Sequence, residues 1–390
     1  MIPLPLEESR NRIRILQNHL NEVGLDAACI MHNVDRFYYA GSMQDGVLLV
    51  PAADDPVLFV RRTLSRARDE SPLENVVSFQ RFRHMREYLE DCVIRHGSIG
   101  MDLDVVPAKL YLGFQRTFPE SSVVDISGFV RRQRAVKSSF ELSIMEEAGK
   151  RFDRVLARMR EEIRAGMSEY QVYMRFAALL LEQRSSLLIR TRMFNMEAET
   201  RYILSGSSAA NLSSIDSPTA AGSGVTHAFP WGSGERRIKT GEPVLIDSIF
   251  VHEGYHVDCT RIFALGSLES DYTRAHDLSR RCHDLFRSEL RPGTYIPEFY
   301  RRVFDFVDEA GSADVFMGDV KFIGHGVGLE LDEFPILSVG FDDGIEEGMV
   351  IAFEPKFLFP GGTVGFENTY RVRDDGVESL NRVDEGIQYL

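Results

Sequence analysis

The chain has 390 residues, 44% of them hydrophobic and 27% charged, with a formal net charge of -14. That length exceeds one ordinary core and fits two domains, and usage this close to the globular average is expected of a soluble chain. The negative balance opposes a phosphate backbone, so no nucleic acid partner is expected. No run approaches the roughly 18 to 20 apolar residues of a membrane helix, so no membrane partner is expected either.

The opening MIPLPLEESRNRIRIL turns polar within a few positions and offers no apolar secretory core, so a cytoplasmic protein is expected. The spacing then predicts a helix near Glu7 to Val23 and strands from AACIM, GVLLV and PVLFV. A helical pattern over MREYLEDCVIRHG and an apolar SVVDIS complete an N-terminal α/β domain. Around FVRRQRAVKSSFEL the composition becomes basic and polar, and a long helical pattern starts at Phe140, which sets the domains at 1–132 and 133–390. Ser168 with Gln171 reads as a capping box that opens a second helix. From Thr191 onward the pattern is strands broken by Gly-rich turns, with helices at Asp271 to Leu290 and Pro297 to Ala310, an α+β arrangement with a curved sheet. Cys29, Cys92, Cys259 and Cys282 share no CxxC spacing and read as reduced thiols.

Two hairpin-like units about a hundred residues apart carry acids inside apolar runs. In PVLIDSIFVHEGYHVDCTRIF a turn near His252 to Gly254 sets Asp247 and Asp258 roughly opposite each other, about 5 Å apart. In MVIAFEPKFLFPGGTVGFENTYRV, Glu354 and Glu367 lie symmetrically about Pro360, Gly361 and Gly362. A buried carboxylate costs several kcal/mol unless it is protonated, paired or bound to a cation. Only Lys356 and Arg261 are basic in these runs, and a metal cation is the preferred partner. His325, in the glycine-flanked GHGVG, adds a nitrogen donor. That loop lacks both the Gly-Lys-Ser/Thr and the G-x-G-x-x-G phosphate patterns. Four carboxylates and one imidazole suit two divalent ions, whether Mn, Co, Fe or Zn, rather than structural zinc.

With these residues in hand the chain resembles the methionine aminopeptidase/prolidase/creatinase superfamily, the pita-bread metallopeptidases of family M24, in the branch of aminopeptidase P and prolidase. GLDAACI with RFYYAGS is similar to its creatinase-type N-terminal domain, and RRQRAVKSSFEL to its entry into the catalytic domain. The resemblance implies a pita-bread catalytic domain with a curved antiparallel sheet. It implies metal ligands Asp247, Asp258, His325, Glu354 and Glu367, with Asp258 and Glu367 bridging two ions and Glu354 handling the proton of a bridging hydroxide. His227, in GVTHAFPW, matches the substrate-side histidine expected to steady the oxyanion; His252 and His256 have no counterpart and read as turn or strand residues. The implied activity is Xaa-Pro peptidase hydrolysis by a homodimer.

Two positions depart from that pattern. Asp332 stands where the family carries a histidine, and an ionised aspartate can only accept a hydrogen bond, so it is expected to face a donor group of the substrate. The other reading is a loop aspartate turned away from the site. On the substrate-facing reading, Asp332→Ala is expected to change substrate preference more than metal content. Gly365 replaces the arginine that grips a dipeptide carboxylate, with Arg190 or Arg371 as substitutes from elsewhere in the chain. A longer peptide, a non-peptide small substrate of a lyase or amide hydrolase, and a non-catalytic binding module therefore stay open beside the peptidase.

Overall fold

The computed structural model describes residues 1–88, 97–212 and 218–390, in two compact units, Met1–Gln133 and Arg134–Leu390. The first unit contains α1 (Leu6–Val23), β1 (Ala27–Ile30), α2 (Asn33–Ala40), β2 (Gly46–Pro51), β3 (Val57–Val60), α3 (Leu64–Glu70), β4 (Val76–Ser78), α4 (Phe82–Tyr88), β5 (Ser98–Met101), α5 (Ala108–Thr117) and β6 (Ser122–Asp125), and α6 (Ser127–Ala135) begins in it. Among the described residues its strands form one sheet in the order β4-β3-β2-β1-β5-β6, antiparallel along β1, β2 and β3 and parallel elsewhere. The three apolar runs are strands as the spacing predicts. Alternate residues Cys29, Leu49 and Phe59 meet Phe79, Met85 and Phe114 in one core because side chains of a strand alternate between faces. The end of the MREYLEDCVIRHG pattern, with Cys92, lies outside the described residues.

The second unit opens with α7 (Ser139–Glu162) and α8 (Glu169–Glu182), followed by β7 (Tyr202–Ser205), β8 (Pro243–His252), β9 (Tyr255–Ala264), α9 (Ser270–Glu289) and α10 (Ile296–Glu309). It continues with β10 (Gly324–Gly326), β11 (Glu333–Ile336), β12 (Val350–Phe353), β13 (Lys356–Phe359), β14 (Gly362–Gly365), β15 (Asn368–Arg373), β16 (Gly376–Ser379) and β17 (Gln388–Tyr389). The Ser168 hydroxyl accepts from the Gln171 N–H at 3.2 Å, and the Gln171 side chain accepts from the Ser168 N–H at 2.9 Å, so α8 starts on the predicted capping box.

Two larger sheets, β11-β10-β12-β15-β16 and β17-β9-β8-β7, and the hairpin β13-β14 carry the rest of this unit. Among the described residues the strand pairs of these sheets are antiparallel except β17 with β9. On α9 the buried positions Ala275, Leu278, Cys282 and Phe286 follow helical spacing, and on α10 Ile296, Phe299, Val303 and Val307 do the same. They share a core with Leu245, Ile262, Phe353 and Tyr370 of the strands. Each fully buried aromatic or aliphatic side chain there contributes about 1.5 to 3 kcal/mol. Cys29, Cys259 and Cys282 are buried free thiols. Among the described residues no helix is long and apolar enough to cross a membrane.

Candidate metal centre

The first acid pair is set by a two-residue turn. Glu253 and Gly254 both have positive φ, 49° and 91°, the backbone that matches strand twist in a tight hairpin. His252 therefore faces Tyr255, Asp247 faces Thr260, and Asp258 faces Ile249. The turn lies one residue later than the sequence pattern predicts; the predicted turn would set Asp247 against Asp258. The correction shifts the partner by two positions, which preserves the alternation of the pleat, so both acids still share a face.

In the second hairpin Lys356 faces Gly365 and Phe359 faces Gly362, leaving Glu354 and Glu367 symmetrically beyond its open end. Thr260 joins the two hairpins. Its backbone exchanges two hydrogen bonds of 3.3 Å with Glu367, and its hydroxyl donates to Glu367 Oε2 at 2.8 Å. Asp247, Thr260 and Glu367 thus form a row across three neighbouring segments. His325 enters from β10 opposite Ala352. Beside it, a Cβ on Gly326 would lie 2.1 Å from the Phe334 carbonyl oxygen, so only glycine lets β11 approach this closely.

Asp247, Asp258, His325, Glu354 and Glu367 are each no more than 6% exposed, and all five line one cavity. One carboxylate oxygen each of Asp258 and Glu367 and a ring nitrogen of His325 lie within 4.8 Å of one another. His325 Nε2 is 3.6 Å from Glu354 Oε1 and 3.9 Å from Asp258 Oδ2. Asp258 Oδ1 and Glu367 Oε1 are buried without a hydrogen-bond partner among the described residues. Orphaned acceptors of this kind cost about 1 to 3 kcal/mol each, and the donor set fits a divalent cation at this point.

Lys356, not among the expected site residues, turns its side chain into the cluster. Its Nζ donates to Asp247 Oδ2 at 2.7 Å, Glu354 Oε2 at 2.8 Å and Glu367 Oε2 at 3.2 Å. Two residues beyond Glu354 on an extended segment, it falls on the same face; that period-two spacing is the signal that could have found it. Arg261, the other basic residue, donates instead to backbone oxygens of Thr260, Glu367, Val383 and Asp384. Thr219 was also missed; its hydroxyl donates to Glu354 Oε2 at 3.1 Å.

The electrostatics divide the cluster. Burial, then the Glu367 and Asp247 carboxylates, drive the Asp258 carboxyl well above its ordinary range, with Lys356 opposing. Burial likewise pushes Glu367 up to about 7 against the pull of Lys356. For Glu354, burial is outweighed by Lys356 and His325, and its carboxyl is held below the usual range. Lys356 is held well above its ordinary value, because Asp247, Glu354 and Glu367 outweigh its burial.

His325 is oriented from behind. Its Nδ1 lies 3.1 Å from the Gly326 carbonyl oxygen and 3.5 Å from Asp332 Oδ1, so a proton on Nδ1 leaves the Nε2 lone pair facing Asp258 and Glu354. Asp332, expected toward substrate, has its carboxylate against this imidazole and is not among the residues lining the cavity. His227 is exposed on the turn that runs from Thr226 to Phe229. His256, as expected, is a strand residue: its Nδ1 is 2.8 Å from the Gly328 carbonyl, its Nε2 accepts from the Arg190 N–H at 3.2 Å, and burial lowers its pKa to about 4. Gly365 has φ +126°, and a Cβ there would meet the Pro355 carbonyl at 2.5 Å and Lys356 Cα at 2.9 Å. An arginine cannot take that backbone without strain. Arg371 is engaged with Glu146 and Glu378, and neither Arg190 nor Arg371 lines the cavity.

A buried acid-and-imidazole cluster on paired hairpins defines a metallohydrolase class of centre, and comparison with known proteins agrees with it. Residues 143–374 match metallopeptidase family M24, and residues 12–136 match the creatinase/prolidase N-terminal domain. The chain belongs to metallopeptidase family M24. It is similar to the Xaa-Pro dipeptidase of Pyrococcus furiosus, 25% identical over 97% of this chain and 99% of that protein. Among solved structures it shares its fold with a Xaa-Pro dipeptidase from Bacillus anthracis, at TM-score 0.84 and 21% identity over 98% of this chain and 100% of the other. It also shares it with an X-Pro aminopeptidase from Thermotoga maritima, at TM-score 0.81 and 20% identity over 97% and 99%.

Proposed function

We propose that the chain is a metal-dependent peptidase that cleaves the bond preceding proline. The observation that carries this reading is the buried convergence of Asp258, His325 and Glu367 around orphaned carboxylate oxygens, in a chain of family M24 similar to a Xaa-Pro dipeptidase. Asp258, His325 and Glu367 would hold a divalent ion, with Glu354 at its edge. When bound, such an ion supplies a water acidic enough to ionise near neutral pH and polarises the scissile carbonyl.

Glu354 Oε1 is the proposed base for the attacking water. Thr219 and Lys356 engage the other oxygen of that carboxylate, which leaves Oε1 toward His325. His227 is the proposed donor to the carbonyl oxygen of the scissile bond; it follows Pro218, which lines the cavity, by nine positions. Glu197 and Glu199 on the cavity wall suit the N-terminal ammonium of a peptide. With glycine at 365 no carboxylate clamp is built there, so peptides longer than two residues are admitted.

The test is hydrolysis of Ala-Pro and of longer Xaa-Pro peptides by chelator-treated protein, with and without added manganese. Release of the residue before proline only when the ion is restored supports the reading. No cleavage of any Xaa-Pro peptide with manganese, cobalt, iron or zinc overturns it and turns attention to small N-acyl or betaine-like substrates on the same scaffold.

A further inference from the structure

We propose that Lys356 holds the position of one of the two cations, so that the centre takes a single divalent ion on the side of Asp258, His325 and Glu367. This rests on the metal-dependent reading above and narrows it from two ions to one.

An ammonium group has three N–H donors, and each of those on Lys356 meets a different carboxylate, from Asp247, Glu354 and Glu367. The side chain is only 1% exposed. A divalent ion needs carboxylate oxygens at about 2.0 to 2.6 Å, and these three oxygens are already turned onto Nζ. The backbone of Lys356 is pinned as well: its N–H faces Met317 Sδ at 3.3 Å, and its carbonyl accepts from the Met317 N–H at 2.9 Å.

The other side of the cluster is different. Asp258 makes no bond to Lys356, and the acceptors that lack a partner among the described residues, Asp258 Oδ1 and Glu367 Oε1, both belong to the group that converges with His325. Charge agrees with geometry. Four ionised carboxylates against one ammonium and one divalent ion leave a single negative charge. A second divalent ion would leave a positive charge in a buried pocket, beside an ammonium that repels it.

The experiment counts ions. Full-length protein is stripped with chelator, dialysed against manganese and assayed by elemental analysis and calorimetry, and crystals are measured at the manganese edge. One ion per chain is expected, with one anomalous peak among Asp258, His325 and Glu367. Two ions per wild-type chain overturn the inference while leaving the peptidase reading intact. No bound ion, together with no metal-dependent cleavage, overturns both. Lys356→Gly is expected to take up a second ion at the Asp247 side. A folded Lys356→Gly that still binds one ion removes Lys356 as the cause, and if that variant does not fold, the wild-type count decides alone.

Discussion

Glu333 accepts a hydrogen bond from the guanidinium of Arg134, 199 positions away in the chain, and a second from Lys137 at 3.2 Å. All three side chains are buried, and Arg134 also pairs with Glu330 at 2.8 Å. The basic residues that open the second unit and the acids that follow the His325 loop are therefore two halves of one ion network. Directly after Lys137, Ser138 and Glu141 cap α7, so the residues that tie down the loop beside His325 adjoin in sequence those that start the helix.

Burial works to raise the Glu333 carboxyl, but Arg134 and Lys137 outweigh it and hold it at about 2. A carboxyl depressed below its unfolded value of about 4.3 adds stability that is complete above that value and is lost as pH falls toward 2. Glu333→Gln leaves buried cations short of an anion and costs about 3 to 5 kcal/mol at pH 7. Urea unfolding at pH 7 and pH 3 checks both points: the wild type weakens between the two, and the variant weakens less.

Returning the family arginine to position 365 does not create a carboxylate clamp. With φ at +126° and the Pro355 carbonyl 2.5 Å from a new Cβ, Gly365→Arg strains the β13–β14 hairpin by about 1 to 3 kcal/mol or more. Thermal unfolding should show a lowered midpoint. A variant as stable as wild type that gains dipeptide affinity would mean the hairpin adapts.

The contact between Asp332 and His325 moves the expectation for Asp332 from substrate to ion. Removing a carboxylate that orients a metal-binding imidazole typically weakens ion affinity about 10- to 100-fold, and Asp332→Asn should do so without unfolding the chain. Calorimetric titration with manganese measures it. An unchanged affinity with altered peptide preference would restore the substrate-facing role.

His227→Ala should lower kcat on Ala-Pro by about 10²- to 10³-fold with little change in KM, the signature of a donor used only as the oxyanion forms. Steady-state kinetics decide it. Turnover equal to wild type would leave the exposed turn without a part in the chemistry.

The strands, the long helices and the acids of the cluster are legible in the sequence because each follows from local rules. Short continuous apolar runs give β1 to β3, and the Ser168 capping box gives the start of α8. The Asp247 and Asp258 pairing is legible only to within one residue of the turn, since a turn centre cannot be read to better than that from composition. Lys356 escaped because a lysine is ordinarily a surface residue, and only pairing with Asp247, Glu354 and Glu367 makes its burial tolerable. The orientation of Asp332 escaped for another reason: its φ of 59° is a left-handed conformation that non-glycine residues seldom adopt, and residue type alone does not announce it.

The Glu253 and Gly254 turn acts as a measuring stick for the whole centre. Its length alone decides which residue of β9 stands across from Asp247. One inserted residue that moved the pairing along by a single step would rotate Asp258 and Thr260 to the opposite surface of the sheet and uncouple Glu367 from its neighbour. Homologous chains that keep the acids should accordingly keep the length of this loop, with a residue that accepts the φ of 91° at position 254.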